Sequence, residues 1–194
     1  MPLVFGDEVT TNYIKFNAKD CIWSNNNAAG EVAEIEPPRM VIDLENLQTG
    51  YFLFLEGVAP DIILDVAGEA SAVEPEGGNH KRGFRCSVFS TQLGVREFSS
   101  CSWMLKKAIK ALYTDFEKDK DAHPGHLPIV DVVRTITVNG KYGTIYQPVF
   151  AIVGWTPRPD ELGGDVEITA APSPIDAAQA NTPLADELDD SVPY

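Results

Sequence analysis

The chain alternates apolar and polar positions in short runs, and these runs predict strands. After Thr10, NYIKFNAKDCIWSN alternates in part, with Tyr13, Ile14, Phe16, Ile22 and Trp23 set around Lys15 and Lys19, which predicts an early strand or hairpin. NNNAAGEVAEIEPP is rich in turn-forming and acidic residues, and its two prolines mark it as a loop. RMVIDLENLQTGYFLFLEG holds two β-rich runs, MVIDL and YFLFLEG, separated by polar residues and a glycine, a pattern that suits a hairpin with a longer turn. Residues 59–80 carry Pro60, Pro75 and several glycines around the short apolar piece DIILDVA, so an extended loop is expected there. In KRGFRCSVFST the period of two puts Phe84, Cys86 and Val88 on one face and Arg85 and Ser87 on the other.

Only SSCSWMLKKAIKALYTDFEKD has strong helical spacing. Leu105, Ile109, Leu112 and Phe116 form its apolar stripe, Lys106, Lys107 and Lys110 take more solvent-facing positions, and Ser100 or Ser102 supplies an N-cap. After the DAHPGHLP connection, DVVRTITV and KYGTIYQPVFAIVGW are joined by Asn139-Gly140, the dipeptide favoured by a type I′ hairpin turn. Pro148 cannot donate to a ladder, so the second strand is expected to lie on an edge, bend or change partner there. The elements together predict a mainly β protein with one prominent helix, an OB-like antiparallel barrel, with an α+β antiparallel sheet carrying a helix on one face as the alternative.

From Asp160 onward the composition changes. PSPIDAAQANTPLADELDDSVPY has few large hydrophobics, several prolines and no positive charge, too little apolar surface to offset the entropy of ordering. Residues 1–159 are therefore read as one β-rich domain, and 160–194 as a disordered acidic tail. The hydrophobic fraction of 44% is that of a globular protein. No apolar stretch approaches the roughly 18 residues that span a bilayer, so no membrane association is expected.

Charge changes the picture more than composition does. The net charge of -14 is that of a poor polyanion binder, but it is unevenly spread. Residues 1–80 carry -11 and residues 160–194 carry -9, whereas residues 81–159 hold 12 Lys and Arg against six acids, +6. A basic centre is flanked by acidic ends.

Few motifs point to catalysis. The chain has no phosphate-binding loop, no HExxH, no GxSxG and no dinucleotide fingerprint, so no cofactor and no enzymatic activity are expected. Cys21, Cys86 and Cys101 are odd in number and far apart, which argues against a disulfide framework or a cysteine zinc site. His123 and His126 with Asp121 lie in a proline- and glycine-containing connection and lack further ligands. Asp61, Asp65 and Asp131 are the carboxylates that a metal-dependent nuclease would need to bring together.

Single-stranded nucleic acid is bound by cations that follow the phosphates and aromatic faces on which bases stack. The basic centre holds both. Lys81, Arg82 and Arg85 neighbour Phe84 and Phe89; Arg96 neighbours Phe98 and Trp103; the helix adds Lys106, Lys107 and Lys110. Arg134 and Lys141 neighbour Tyr142 and Tyr146, which share a face at a spacing of four and are the preferred stacking candidates. Phe98, Trp103, Phe150 and Trp155 are assigned to the core, where large aromatics usually lie.

The acidic ending DDSVPY resembles the C-terminal tip of bacterial single-stranded DNA-binding proteins, in which aspartates precede an aliphatic residue, a proline and a terminal aromatic. The matching residues are Asp189, Asp190, Val192, Pro193 and Tyr194; the family favours Phe where this chain has Tyr194, and Ser191 is interposed. The combination looks like a phage-type single-stranded DNA-binding protein. The resemblance implies a protein that coats and protects DNA in replication or recombination and recruits partner proteins through its tip. It also implies an anionic tail that occupies the basic groove until DNA displaces it. MPLVFGDEVTT lacks a basic n-region followed by an apolar segment, so the expected compartment is cytoplasmic, the bacterial host's if the protein is phage-encoded. Self-association is compatible with this reading. The competing readings are an acidic interaction protein or DNA mimic that inhibits a DNA-handling enzyme, a metal-dependent nuclease and a virion structural protein.

Overall fold

The computed structural model describes residues 12–26, 30–55, 60–66, 69–70, 72–140 and 143–163. Ten strands and one long helix follow one another as β1 (Tyr13–Asn17), β2 (Ile22–Asn26), β3 (Val32–Ile35), β4 (Met40–Ile42), β5 (Gln48–Leu53), β6 (Asp61–Leu64), β7 (Lys81–Ser90), β8 (Gly94–Ser100), α1 (Trp103–Asp119), β9 (His126–Gly140) and β10 (Gly143–Pro157). One sheet contains all ten strands, in the order β10-β9-β4-β7-β8-β1-β2-β3, with β5 paired to β7 and β6 to β5. The sheet curls until the β10 edge meets the β1–β2 turn, where Tyr146 N–H donates to the Ala18 carbonyl at 2.7 Å. This is the mainly β, OB-like half-barrel with one helix that the sequence pattern predicts. One pairing is parallel: Tyr13 and Ile14 of β1 lie beside Glu97 and Phe98 of β8, strands joined only by a long crossover.

Three local expectations change. MVIDL and YFLFLEG are not a hairpin: β4 and β5 do not pair with each other but lie in line along the ten-residue β7, with Val41 opposite Phe89 and Tyr51 opposite Arg82. The break between them is held at Asp43, whose N–H donates to the Ser87 carbonyl and whose carboxylate takes bonds from Arg158 and from the Asn46 side chain. DIILDVA forms β6 instead of loop, and the acidic EVAEIEPP segment forms β3, because Ile35 comes into register with Trp23.

The early hairpin forms as β1 and β2. The β9–β10 hairpin forms too, but Gly140 pairs with Gly143, so Asn139 and Gly140 are in the ladder and the pairing closes two residues later than the Asn-Gly dipeptide predicts. A shift of two residues preserves which face each side chain takes. Pro148 sits on β10, an edge strand, beside the irregularity at Val149/Phe150.

The inner face of the curl is the core. Phe98 is at its centre, with ring centroids 5.5 Å from Phe84, 5.8 Å from Trp23 and 6.4 Å from Phe150. Helix α1 closes it from the side, burying Leu105, Ala108, Ile109, Leu112 and Phe116, and Phe116 stacks on Trp155 at 5.8 Å. Ser102 holds the N-cap position without a side-chain cap bond; Ser100 instead accepts from the Ser102 N–H. A short 3-10 turn, Asp160–Leu162, follows β10, and the compact unit runs to residue 164. Among the described residues, no helix is long and apolar enough to cross a membrane.

Candidate nucleic-acid interface

Strand alternation sorts the candidates on β7. Phe84, Cys86 and Val88 point into the core, so Lys81, Arg85 and Phe89, at odd positions, share the opposite face. From Lys81 to Phe89 that face extends about 27 Å at strand rise, a length suited to several nucleotides. Arg85 Nε donates to Gln48 Oε1 at 2.6 Å, which aims the guanidinium along the face without neutralising it. Phe89 is half-buried over a groove of about 740 Å³ also lined by Val41, Ile129 and the Arg39–Asp131 pair. Two acids border this track, Glu97 of β8 opposite Ser87 and the Arg39-paired Asp131 in the groove beside Phe89.

At the Lys81 end the track meets α1. Cys101 Sγ lies 3.4 Å from the Lys81 carbonyl and 3.9 Å from that of Phe52, and Lys106 Nζ donates to the Arg82 carbonyl at 2.9 Å. Burial raises the Cys101 thiol above its ordinary pKa, and Lys106 and Lys81 oppose that shift. Phe52 is buried here because Gly83 makes room for it: a Cβ on Gly83 would come within 2.9 Å of the Phe52 ring and 2.8 Å of the Ser100 carbonyl. The Phe52 ring in turn stacks on Phe54, which is 46% exposed.

Two residues beyond Cys101, Trp103 is 62% exposed, with Lys107 Nζ 5.4 Å from its ring centre. Lys107 and Lys110 are exposed on the same helical stripe, and the first turn of α1 has no acid. The structure therefore brings Lys106 to the start of β7 beside Lys81, with Lys107 and Lys110 following on the exposed stripe of α1 that begins at Trp103, and Phe54 offers a second exposed ring. Between residues 81 and 114 seven cations stand against the single acid Glu97.

Other expected contacts are placed differently. Phe84 is 3% exposed and edge-on to Phe98, so it offers no face to a base. Arg82 lies bidentate on Asp65, at 2.7 and 2.6 Å, and over the Tyr51 ring, so its charge is largely spent within the protein. Arg96 is half-buried at the end of β8 and donates to the Val95 carbonyl. Tyr146 packs against the core, and its backbone N–H closes the curl, so it is not an open platform. Arg134 is exposed on the hairpin arm, away from the β7 face. Lys141 and Tyr142 lie outside the described residues, as do Asp189, Asp190, Val192, Pro193 and Tyr194.

Trp103, assigned to the core from sequence, is instead on the surface. The signal was in the spacing: Trp103 stands four before Lys107 and seven before Lys110, on the lysine face of the helix and not on the leucine face. Phe98 and Phe150 are in the core as expected, and Trp155 is partly buried against it, stacked on His123 at 4.3 Å.

The carboxylates of the nuclease reading each engage a different side chain: Asp65 binds Arg82, Asp131 binds Arg39 and Asp61 faces His80. The Arg82 guanidinium, helped by Thr49 and the Ala72 N–H, holds the Asp65 carboxyl well below the usual carboxylate range. Among the described residues, no three His, Cys, Asp or Glu are grouped to hold a metal ion. Cys86 is buried, and desolvation pushes its thiol far up, which makes it unreactive. No family model, curated protein or solved structure matches the chain.

Proposed function

We propose that this chain is a non-enzymatic single-stranded DNA-binding protein of the phage type that coats unwound strands in replication or recombination, with a tip that resembles that of bacterial single-stranded DNA-binding proteins. The observation that carries the reading is the set of cations, Lys107 and Lys110 on α1 and Lys81 and Arg85 on β7, that stands with the exposed rings of Trp103 and Phe54 and the half-buried Phe89. Phosphates follow the cations, and bases stack on Trp103, Phe54 and Phe89, an arrangement that tolerates any sequence because every base has a π-face. The -9 tail supplies the counterpart: it competes with DNA for the cations, and Asp189, Asp190, Val192, Pro193 and Tyr194 recruit replication or recombination proteins by charge pairing and an apolar anchor.

The test is titration of the full chain with an oligothymidylate, read by anisotropy and by tryptophan fluorescence. Stacking on Trp103 quenches its emission, and Trp103→Ala removes most of that quench together with part of the affinity. Absence of binding at low salt, by the full chain and by a chain lacking the tail, overturns the proposal and favours a DNA mimic. Cleavage of the strand on adding magnesium or manganese overturns its non-enzymatic part.

A further inference from the structure

Among the described residues, β6 pairs only with β5 and β10 only with β9, and two further strand edges also carry no ladder partner. β3 pairs only with β2, and β9 beyond Val132 pairs only with β10, since β4 reaches β9 at Ile129 and Val130 alone. An open edge presents a row of backbone donors and acceptors that invites another strand, and natural proteins cover or break such edges. Within one molecule no ladder joins β3 to β9.

Their side chains are complementary. On β3 the pairing of Glu34 with Ser24 and of Val32 with Asn26 puts Val32 and Glu34 on one face, and Val32 is 60% exposed. On β9, Arg134 and Ile136 share a face opposite Val149 and Gln147, and Ile136 is 39% exposed. From residue 21 to residue 38 the chain has acids and no Lys or Arg; from residue 132 to residue 159 it has Lys and Arg and no acid. Pairing β3 with β3, or β9 with β9, sets like charges against each other. Pairing β3 with β9 sets opposite charges together.

We infer that β3 of one copy adds antiparallel to the free edge of β9 in the next, in the register that places Glu34 opposite Arg134 and Val32 opposite Ile136. The same register sets Ala33 against Thr135 and Ile35 against Val133, so both faces of the joint are filled. Each copy offers one edge of each kind, so the contact is heterologous and links copies head to tail instead of closing a two-fold dimer. This rests on the coating reading only for its purpose, a contiguous row of molecules along a strand; the contact itself is tested without DNA, so either idea can fail alone.

Sedimentation velocity of the full chain without DNA, near physiological salt, should show a weight-average mass that climbs with concentration past that of a dimer. Glu34→Arg alone and Arg134→Glu alone each replace an opposite-charge cross-strand pair by a like-charge one and should weaken association about tenfold. Mixing the two variants should restore it, since each then presents to the other the charge its edge requires, and the recovery also shows that both are folded. A chain carrying Val32→Cys and Ile136→Cys, oxidised, should form a ladder of covalent multimers that either cysteine alone does not give. A monomer at all concentrations, single charge variants that associate like the parent, a mixture that does not recover, or no cysteine ladder each overturns the inference.

Discussion

Phe84 and Trp103 lie in the same basic segment and take opposite roles, and the difference is one of face. Phe84→Ala removes a ring from the Trp23–Phe98–Phe150 cluster and should cost about 3–5 kcal/mol of stability, read by chemical denaturation. Trp103→Ala removes an exposed ring, so the melting temperature should barely move, while the affinity for single strands should fall by about 1–3 kcal/mol. A large loss of stability in Trp103→Ala would assign the ring to the core. Asp65 makes a pH-dependent contribution. Its folded pKa is depressed by Arg82, so the stabilisation is full above the ordinary carboxylate range, about pH 4, and is lost as pH falls toward the folded value. Asp65→Asn should therefore cost about 1–3 kcal/mol at neutral pH, and the gap to the parent should narrow in acid, as followed by thermal melts over a pH series. Of these residues, the inward face of Phe84 was legible from the alternation KRGFRCSVF. The Asp65–Arg82 pair was not, since it joins the end of β6 to the start of β7 across a loop with no regular pattern.

Helix α1 has three lysines in its first two turns and its acids, Asp115, Glu117 and Asp119, in its last. That order opposes the helix dipole, which favours acids near the N-terminus and cations near the C-terminus. Lys118 in the last turn follows the dipole, and under the proposed function the three N-terminal lysines serve a bound anion. Lys107→Glu separates the two demands. It places a carboxylate three residues before Lys110, a stabilising helical pair of about 0.2–0.5 kcal/mol, while reversing a charge beside Trp103. The melting temperature should hold or rise slightly while strand affinity falls; a parallel fall in both would show that Lys107 serves the fold. At this scale the sequence was read well where an element is local and strongly patterned, as with α1 and the β9–β10 hairpin. It was read poorly for β3 and β6, short strands whose hydrophobic signal is diluted by acids or prolines and which exist because a neighbour, β2 or β5, supplies the ladder.

For the whole molecule the competing electrostatic terms can be measured together. If Lys81, Arg85, Lys107 and Lys110 each contact a phosphate, the logarithm of affinity should fall against the logarithm of salt with a slope of about -3, and each Lys→Ala change should make that slope shallower by about 0.7. Removing residues 165–194 takes away seven acids and no Lys or Arg, and should raise affinity most at low salt. An unchanged affinity would leave the tail with recruitment alone. The sequence by itself determined what is local or additive: the strand-rich class with one helix, the inward and outward faces of β7, the acidic ends and the basic centre. It did so because alternation, helical period and net charge are properties of neighbouring residues or of sums over them. Only the tertiary structure decided that β4 and β5 share one edge of β7, that Arg82, Arg39 and Arg158 are engaged by carboxylates, and that Trp103 and Phe54 remain exposed. Those outcomes depend on which strands meet across tens of residues, and ladder hydrogen bonds, being alike for all strands, carry no label of their partner in the sequence.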